Sequence, residues 1–260
     1  MMASTERLRT LSDHGLSAGL EQGEWEPRDS VGHLTDERKD GWRRILSAVA
    51  TTEAIEGTLI EPLTGAFSGA PEALAYLHTH SADEDRHHRI LSRYLWNTFN
   101  YRKERRTVSD TVIYDGLLPR LASTFGRRPL PGLAMLHCYE GFSLLFYRVF
   151  KERASEDGLP GILACVRAIE KDELRHVTGV ETLCRIAVER NGRGPGPVDR
   201  LAIRALLEVM MLDVNMSRWA IHNREVREHF VKLGISPASI GRAAREARSR
   251  TLKFVEGLAS

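Results

Sequence analysis

Apolar residues recur every three to four positions along most of the chain from residue 36 onward, which is the spacing of one face of an α-helix. Clusters of glycine and proline interrupt this pattern and divide it into segments. The pattern predicts helices over residues 36–64, 71–100, 108–125, 132–154, 160–190, 198–232 and 237–257. Strand-like alternation bounded by hairpin turns is missing from the sequence, so we predict an all-α fold.

The first 34 residues show only weak periodicity and are rich in glycine. We therefore predict that residues 1–34 form an extended or partly ordered arm and that residues 35–260 form one helical domain. No stretch approaches the roughly 18 apolar residues of a membrane span. The N-terminus also lacks the apolar run of a secretory signal, so the expectation is a cytoplasmic protein.

Charge and cysteine content narrow the function classes. The net charge of +2 is too small to indicate a nucleic-acid partner. Arginines cluster locally, for example Arg102, Arg105 and Arg106, which is typical of solvated helix faces, with docking of an acidic partner as the alternative. The three cysteines form no CxxC pair, so we expect buried, reduced thiols instead of a zinc or iron–thiolate site.

A motif of the form D-E-x-R-H occurs twice, at Asp83–His87 and at Asp172–His176. Each copy lies at the same distance after a proline, Pro71 or Pro160, that marks the start of its predicted helix. The two helices therefore begin alike and present the same side chains at the same depth. A tandem duplication of a helical hairpin explains this pattern.

A glutamate and a histidine at positions i and i+3 lie on one face of a helix, within reach of one metal ion. Two such helices, each with a partner helix that supplies one more glutamate, form the ligand set of ferritin-like carboxylate sites. Hard carboxylate oxygens with one imidazole per ion suit iron or manganese better than zinc or copper. The ligands predicted from the two motifs are Glu84, His87, Glu173 and His176.

The partner helices supply the remaining candidate ligands. Glu140 lies inside an apolar segment, where a lone carboxylate would be costly to bury, and a metal ion is the obvious partner. On the first helix the candidates are Glu53 and Glu56. We prefer Glu53, because its distance from the following proline matches that of Glu140 more closely, and keep Glu56 as the alternative.

Four further polar residues are placed near this set. Asp83 and Asp172 precede the motif glutamates, where each could accept the N–H of a metal-binding histidine from the facing helix or remain an exposed acid; we favour the pairing with histidine for Asp172. Ser143, three residues after the third-helix glutamate, points toward the same site. His80 lies one turn before the first motif glutamate; it is a further ligand, a proton carrier or a core histidine, and we favour the last.

The two motifs resemble a known family. Residues 81–95 look like the first iron motif of soluble acyl-acyl-carrier-protein desaturases, and residues 171–178 look like the second. Glu53 fits the first-helix ligand of that family and Glu140 the third-helix ligand. The likeness spans about residues 45–235. The chain departs from the family in its shorter length, in a trimmed loop between the first two helices, and in a histidine where the family has a tryptophan before the first motif.

The resemblance implies a ferritin-like four-helix bundle with a di-iron centre, plus additional C-terminal helices. It implies O2-dependent oxidation of an unactivated C–H bond, in the first place desaturation of a fatty-acyl chain carried by acyl carrier protein or another thioester. Two iron ions are the implied cofactor, with a manganese–iron pair as the alternative. A ferredoxin-like electron donor and a homodimer are implied as well. In that family Asp172 matches the partner of a ligand histidine, and Ser143 matches a threonine near the oxygen site.

Two other functions remain open from the sequence. The first is a di-iron oxygenase, either a hydroxylase or an amine N-oxygenase of a biosynthetic pathway, which would use the same ligands. The second is a non-enzymatic iron-binding protein of the ferritin type. The helices predicted after residue 197 count against the second function, because ferritins have a shorter bundle.

Overall fold

The computed structural model describes residues 2–21, 26–102, 128–214 and 221–258. The short helix predicted over residues 108–125, together with Arg105 and Arg106, lies outside them. Eight α-helices and one 3-10 turn (Gly65–Phe67) are described, and these residues contain no strand. The helices are α1 (Met2–Glu21), α2 (Asp36–Thr64), α3 (Pro71–Phe99), α4 (Pro129–Glu156), α5 (Pro160–Asn191), α6 (Pro197–Val214), α7 (Ile221–Lys232) and α8 (Pro237–Gly257).

Local sequence signals explain where the long helices begin and end. Proline occupies the first turn of α3, α4, α5 and α8, where its missing N–H costs nothing and its fixed φ suits a helix. Thr35 caps the N-terminus of α2, and its hydroxyl accepts a hydrogen bond from the backbone N–H of Arg38 at 3.2 Å. Gly192 directly follows α5, and its φ of 64° is a left-handed conformation that glycine adopts without strain.

Helices α2, α3, α4 and α5 form a four-helix bundle. Helix α2 packs along α3, and α4 packs along α5, while α3 also contacts α5 and α2 contacts α4. One apolar core, around Trp42 and Phe150, fills one end of the bundle. A second core, around Tyr76 and Leu77, fills the other end. Helices α6 and α8 pack on α4, and α7 packs on α2, so the predicted bundle with additional C-terminal helices is confirmed.

One segment differs from the sequence expectation. Residues 2–21 form helix α1 instead of an extended or partly ordered arm, because Leu8 is buried in the second core and the helix packs on α3 and α5. Tertiary packing of this kind overrides a weak periodic pattern. The helix predicted over residues 198–232 is described over Pro197–Val214 and Ile221–Lys232, and residues 215–220 lie outside the described residues.

Gly179 allows a close approach between α3 and α5. A Cβ atom at this position would overlap the ring of Tyr76, which is fully buried. The Tyr76 hydroxyl donates a hydrogen bond to the backbone carbonyl oxygen of His176 at 3.2 Å. Because residue 179 is a glycine, Tyr76 on α3 can approach α5 closely enough to bond to its backbone at His176, a predicted ligand.

In the part of the chain that the structure describes, no helix combines the length and the apolar character needed to span a membrane.

Candidate metal centre

The four bundle helices direct acidic and histidine side chains into one interior site between the two apolar cores. Every one of these side chains is at most 3% exposed. Helix α2 contributes two, α3 three, α4 one and α5 two. They are Glu53, Glu56, His80, Glu84, His87, Glu140, Glu173 and His176.

Seven of these side chains form two groups in which the ligand atoms lie within 4.8 Å of one another. We call them group A and group B. Group A is His80, Glu84, Glu140 and His176. Group B is Glu53, Glu84, His87 and Glu173. Because Glu84 belongs to both groups, it lies between them, where one carboxylate can serve two ions.

The predicted ligand histidines face the carboxylates through their Nδ1 atoms. Nδ1 of His87 lies 3.1 Å from Oε2 of Glu53 and 3.4 Å from Oε1 of Glu173. Nδ1 of His176 lies 3.1 Å from Oε1 of Glu84. Each i, i+3 pair predicted from the sequence therefore points inward, and the two pairs meet across the bundle.

The hydrogen bonding of the carboxylates fits a pair of metal ions. Both carboxylate oxygens of Glu84 and of Glu173, and Oε2 of Glu140, are buried and make no hydrogen bond within the described residues. Buried polar atoms without partners are rare and costly. Carboxylate oxygens with imidazole nitrogens are ligands that suit iron and manganese. The residues present therefore fit a dimetal cofactor, and bound cations would satisfy the unpaired oxygens.

The electrostatics of the metal-free site also indicate cation binding. Burial raises the pKa of Glu53 to about 7. Burial and the negative charge of Glu140 raise the pKa of Glu173 well above its ordinary value. Although burial opposes it, the attraction of His80 and His176 lowers the pKa of Glu140. Burial thus opposes ionisation of Glu53 and Glu173, and positive charge bound in the site would favour it.

Each of the two predicted ligand histidines is held on its far side by the aspartate of the other motif. Nε2 of His87 lies 3.1 Å from Oδ2 of Asp172, and Nε2 of His176 lies 3.1 Å from Oδ2 of Asp83. With Nε2–H donated to an aspartate, Nδ1 is left free to bind a metal ion. This arrangement matches the placement favoured for Asp172 from the sequence, and Asp83 takes the equivalent place on the other side.

Two arginines, neither predicted as a site residue from the sequence, complete this network. Arg86 contacts Oδ1 of Asp83 and Oδ2 of Asp172, each at 2.6 Å. Arg175 contacts Oδ1 of Asp172 at 2.7 Å and also pairs with Asp83. Burial opposes ionisation of the two aspartates, but hydrogen bonds from the histidines and the arginine charges lower their pKa. The signal was present, because both arginines occupy the R position of the repeated motif.

Glu53 and Glu56 take different positions. Glu53 belongs to group B and accepts a hydrogen bond from the hydroxyl of Tyr147, which is fully buried. Glu56 lies in neither group; it faces the same site, and its buried Oε1 has no hydrogen-bond partner within the described residues. Tyr147 was also missed from the sequence, although its place two turns after Glu140 on α4 puts it on the same helix face.

The other residues singled out from the sequence belong to neither group. Ser143 is half-buried on α4, three residues after the group A glutamate, and its role beside oxygen stays a prediction. Arg102 is exposed, with its guanidinium 4.7 Å from the ring centroid of Trp96. The three cysteines are free and buried, as expected.

Comparisons with known proteins place this geometry in a known fold. No protein-family model matches the chain, and no curated protein matches it. Solved structures do match. A variant of an R2-like ligand-binding oxidase with an anaerobically reconstituted Mn/Fe cofactor has a TM-score of 0.71 at 15% identity, covering 95% of this chain and 92% of that one. An R2-like ligand-binding oxidase with aerobically reconstituted cofactor after photoconversion has a TM-score of 0.69 at 15% identity, with the same coverage. At this identity the likeness shows a shared fold.

Proposed function

We propose that this protein is an O2-dependent oxidoreductase with a dimetal cofactor, either two iron ions or a manganese–iron pair. The observation that carries the proposal is the convergence of buried, unpaired carboxylate oxygens on two inward-facing histidine nitrogens. The proposed ligands are Glu53, Glu84, His87, Glu140, Glu173 and His176.

The bound metal pair would supply the activation of O2 for oxidation of an unactivated C–H bond. The chain's own residues prepare the site for that chemistry. The burial of the ligands excludes water, and Asp83 and Asp172 fix the tautomer and orientation of the histidines. Tyr147 holds one oxygen of Glu53, so the other oxygen is the one turned toward His87.

For the substrate, we propose a fatty-acyl chain on acyl carrier protein or another thioester, with desaturation as the reaction. Support comes from the resemblance of both D-E-x-R-H motifs to those of soluble acyl-acyl-carrier-protein desaturases. Acyl carrier protein is strongly acidic, and the exposed Arg102 is a docking residue of suitable charge. The reaction would take two electrons per turnover from a ferredoxin-like donor, and we propose a cytoplasmic homodimer.

A second candidate is an oxidase or oxygenase that acts on another ligand and inserts oxygen instead of forming a double bond. The observation that favours it is the fold likeness to R2-like ligand-binding oxidases, whose structures carry Mn/Fe cofactors. Both candidates use the same proposed ligands, so product analysis must separate them.

The metal centre is tested first. The apoprotein is reconstituted anaerobically with ferrous iron, bound iron is quantified, and the near-ultraviolet spectrum is followed after oxygen is added. We expect about two irons per chain and a new absorption band that is lost in Glu173→Ala. Glu170→Ala is the matched control, because Glu170 lies one turn earlier on α5 and pairs with Lys151 instead. Little bound iron in the wild type would refute the proposal.

The substrate is tested next by mass spectrometry of acyl-carrier-protein substrates incubated with a ferredoxin system. Loss of two hydrogen atoms supports the desaturase, and gain of one oxygen atom supports the oxygenase. Iron uptake with neither product from any acyl substrate would count against the acyl proposal and favour simple iron binding. Charge reversal at Arg102, Arg105 and Arg106 should reduce turnover of carrier-bound substrate; unchanged turnover would refute the docking role.

A further inference from the structure

His80 lies inside the metal centre, not in an apolar core. The side chain is fully buried, and its Nε2 atom lies 2.7 Å from Oε1 of Glu140 and 3.3 Å from Oε1 of Glu84. Its ring stacks on the ring of His176 with the centroids 3.7 Å apart. The ring therefore stands beside a proposed ligand histidine and faces the same carboxylates.

The polar contacts of His80 are all made on one side of the ring. Nδ1 is buried and forms no hydrogen bond with any described residue, whereas Nε2 faces the carboxylates. A core histidine that serves only the fold usually has partners for both nitrogens. Within the described residues, the imidazole of His80 therefore makes its polar contacts only with the group A carboxylates.

This histidine breaks the symmetry of the duplicated motifs. Glu84 corresponds to Glu173, and each is followed by its ligand histidine. The residue one turn before Glu173 is Ile169, which is fully buried in the first apolar core. Of the two motif helices, only α3 thus places an imidazole one turn before its glutamate.

The two ion positions consequently have different donors. Group A combines two imidazoles with the two carboxylates of Glu84 and Glu140. Group B combines one imidazole with the three carboxylates of Glu53, Glu84 and Glu173. Imidazole nitrogen suits iron, and carboxylate oxygen suits manganese. The donor chemistry of the two positions therefore favours different metal ions.

We propose that His80 is a seventh metal ligand, and that it makes the group A position selective for iron(II) while the group B position accepts manganese(II) or iron(II). This inference rests on the proposed function, because it requires a dimetal cofactor, and it replaces the core role that we favoured from the sequence.

The test compares His80→Gln with His78→Gln, an exposed histidine two residues earlier on the same helix. Each apoprotein is equilibrated anaerobically with ferrous iron alone and with equal amounts of iron(II) and manganese(II). Bound metals are counted by elemental analysis, and iron environments are counted by Mössbauer spectroscopy. We expect the wild type and His78→Gln to bind two ions from the mixture, with iron alone in one position and both iron and manganese in the other. His80→Gln should lose roughly tenfold or more in affinity for one ion and lose its selectivity for iron.

A measurement on the wild type makes the test independent of how the variant folds. Anomalous diffraction at the iron and manganese edges of a mixed-metal crystal should place iron in group A, with Nε2 of His80 directly bonded to it. A two-metal wild type with His80 away from the ion, or a His80→Gln protein with unchanged affinities and selectivity, would overturn the role of His80 alone. A wild type that binds no metal pair would overturn the proposed function itself.

Discussion

The substitution Asp172→Asn tests the link between the network behind the histidines and the metal centre. Oδ2 of Asp172 lies 3.1 Å from Nε2 of His87 and 2.6 Å from Arg86, and Oδ1 lies 2.7 Å from Arg175. Asparagine has the same shape, but one carboxylate oxygen becomes an NH2 group. At least one of the three donors would then face another donor. Arg86 and Arg175 would also lose a negatively charged partner.

The expected magnitude follows from these contacts. Replacing a hydrogen-bond partner of a metal-binding histidine typically weakens metal binding by about 10- to 100-fold, which equals about 1.4–2.8 kcal/mol. Removing one partner of a buried ion pair costs about 3–5 kcal/mol of folding free energy. Asp172 is 2% exposed, so solvent screens little of this loss. Both the metal affinity and the stability of the apoprotein should therefore fall.

The assay is an anaerobic competition titration of ferrous iron against a chromophoric chelator, with circular dichroism as the check on folding. Asp85→Asn is the control, because Asp85 is exposed in the same motif, two residues after the equivalent Asp83. Asp83→Asn should behave like Asp172→Asn, since it acts on His176 through the same geometry. A folded Asp172→Asn protein that bound iron within about twofold of the wild-type affinity would refute the reasoning.

Three further predictions follow from the geometry. Tyr147→Phe removes the hydrogen bond to Glu53, worth about 1.5–3 kcal/mol for a charged acceptor, and should weaken iron binding in the same titration. Gly179→Ala should lower the free energy of unfolding in urea, because overlap with the Tyr76 ring costs about 1–3 kcal/mol or more, against roughly 1 kcal/mol of helix propensity gained. The metal-free protein should lose stability in urea as pH rises from 5 toward 7, because Glu53 stays protonated up to its raised pKa of about 7 when folded but ionises near 4.5 when unfolded.

Matched controls sharpen these three tests. Tyr94→Phe removes a comparable hydrogen bond to Asp29 at 2.8 Å, in the apolar core, and should leave iron affinity unchanged. Gly141→Ala should be neutral or stabilising, because its Cβ would meet Ala247 at an ordinary 3.8 Å. Equal stabilities of the two alanine variants would contradict the packing argument. For the pH prediction, stability that stayed level or rose toward pH 7 would show that burial does not raise the pKa of the site carboxyls.

Much of the fold, and the two motif pairs of the site, could be predicted from the sequence, because both depend on local spacing. Helical periodicity and the prolines that begin α3, α4 and α5 located the bundle helices to within a few residues. The i, i+3 pairs of the two motifs had to share a helix face, so Glu84 with His87 and Glu173 with His176 were predictable as inward-facing pairs. The repeat itself indicated that the two pairs lie at the same depth.

Tertiary structure alone decided what depends on the register between helices. Glu53 and Glu56 lie one turn apart on α2, and only the packing of α2 on α3 brings Glu53 to His87 while leaving Glu56 outside both groups. The same packing directs the side chain of His80 into the candidate metal centre. Helix α1 likewise forms against α3 and α5, where a weakly periodic sequence gains its stability from burial. Periodicity orients side chains about one helix axis, but the distance between residues on two helices depends on how those helices pack.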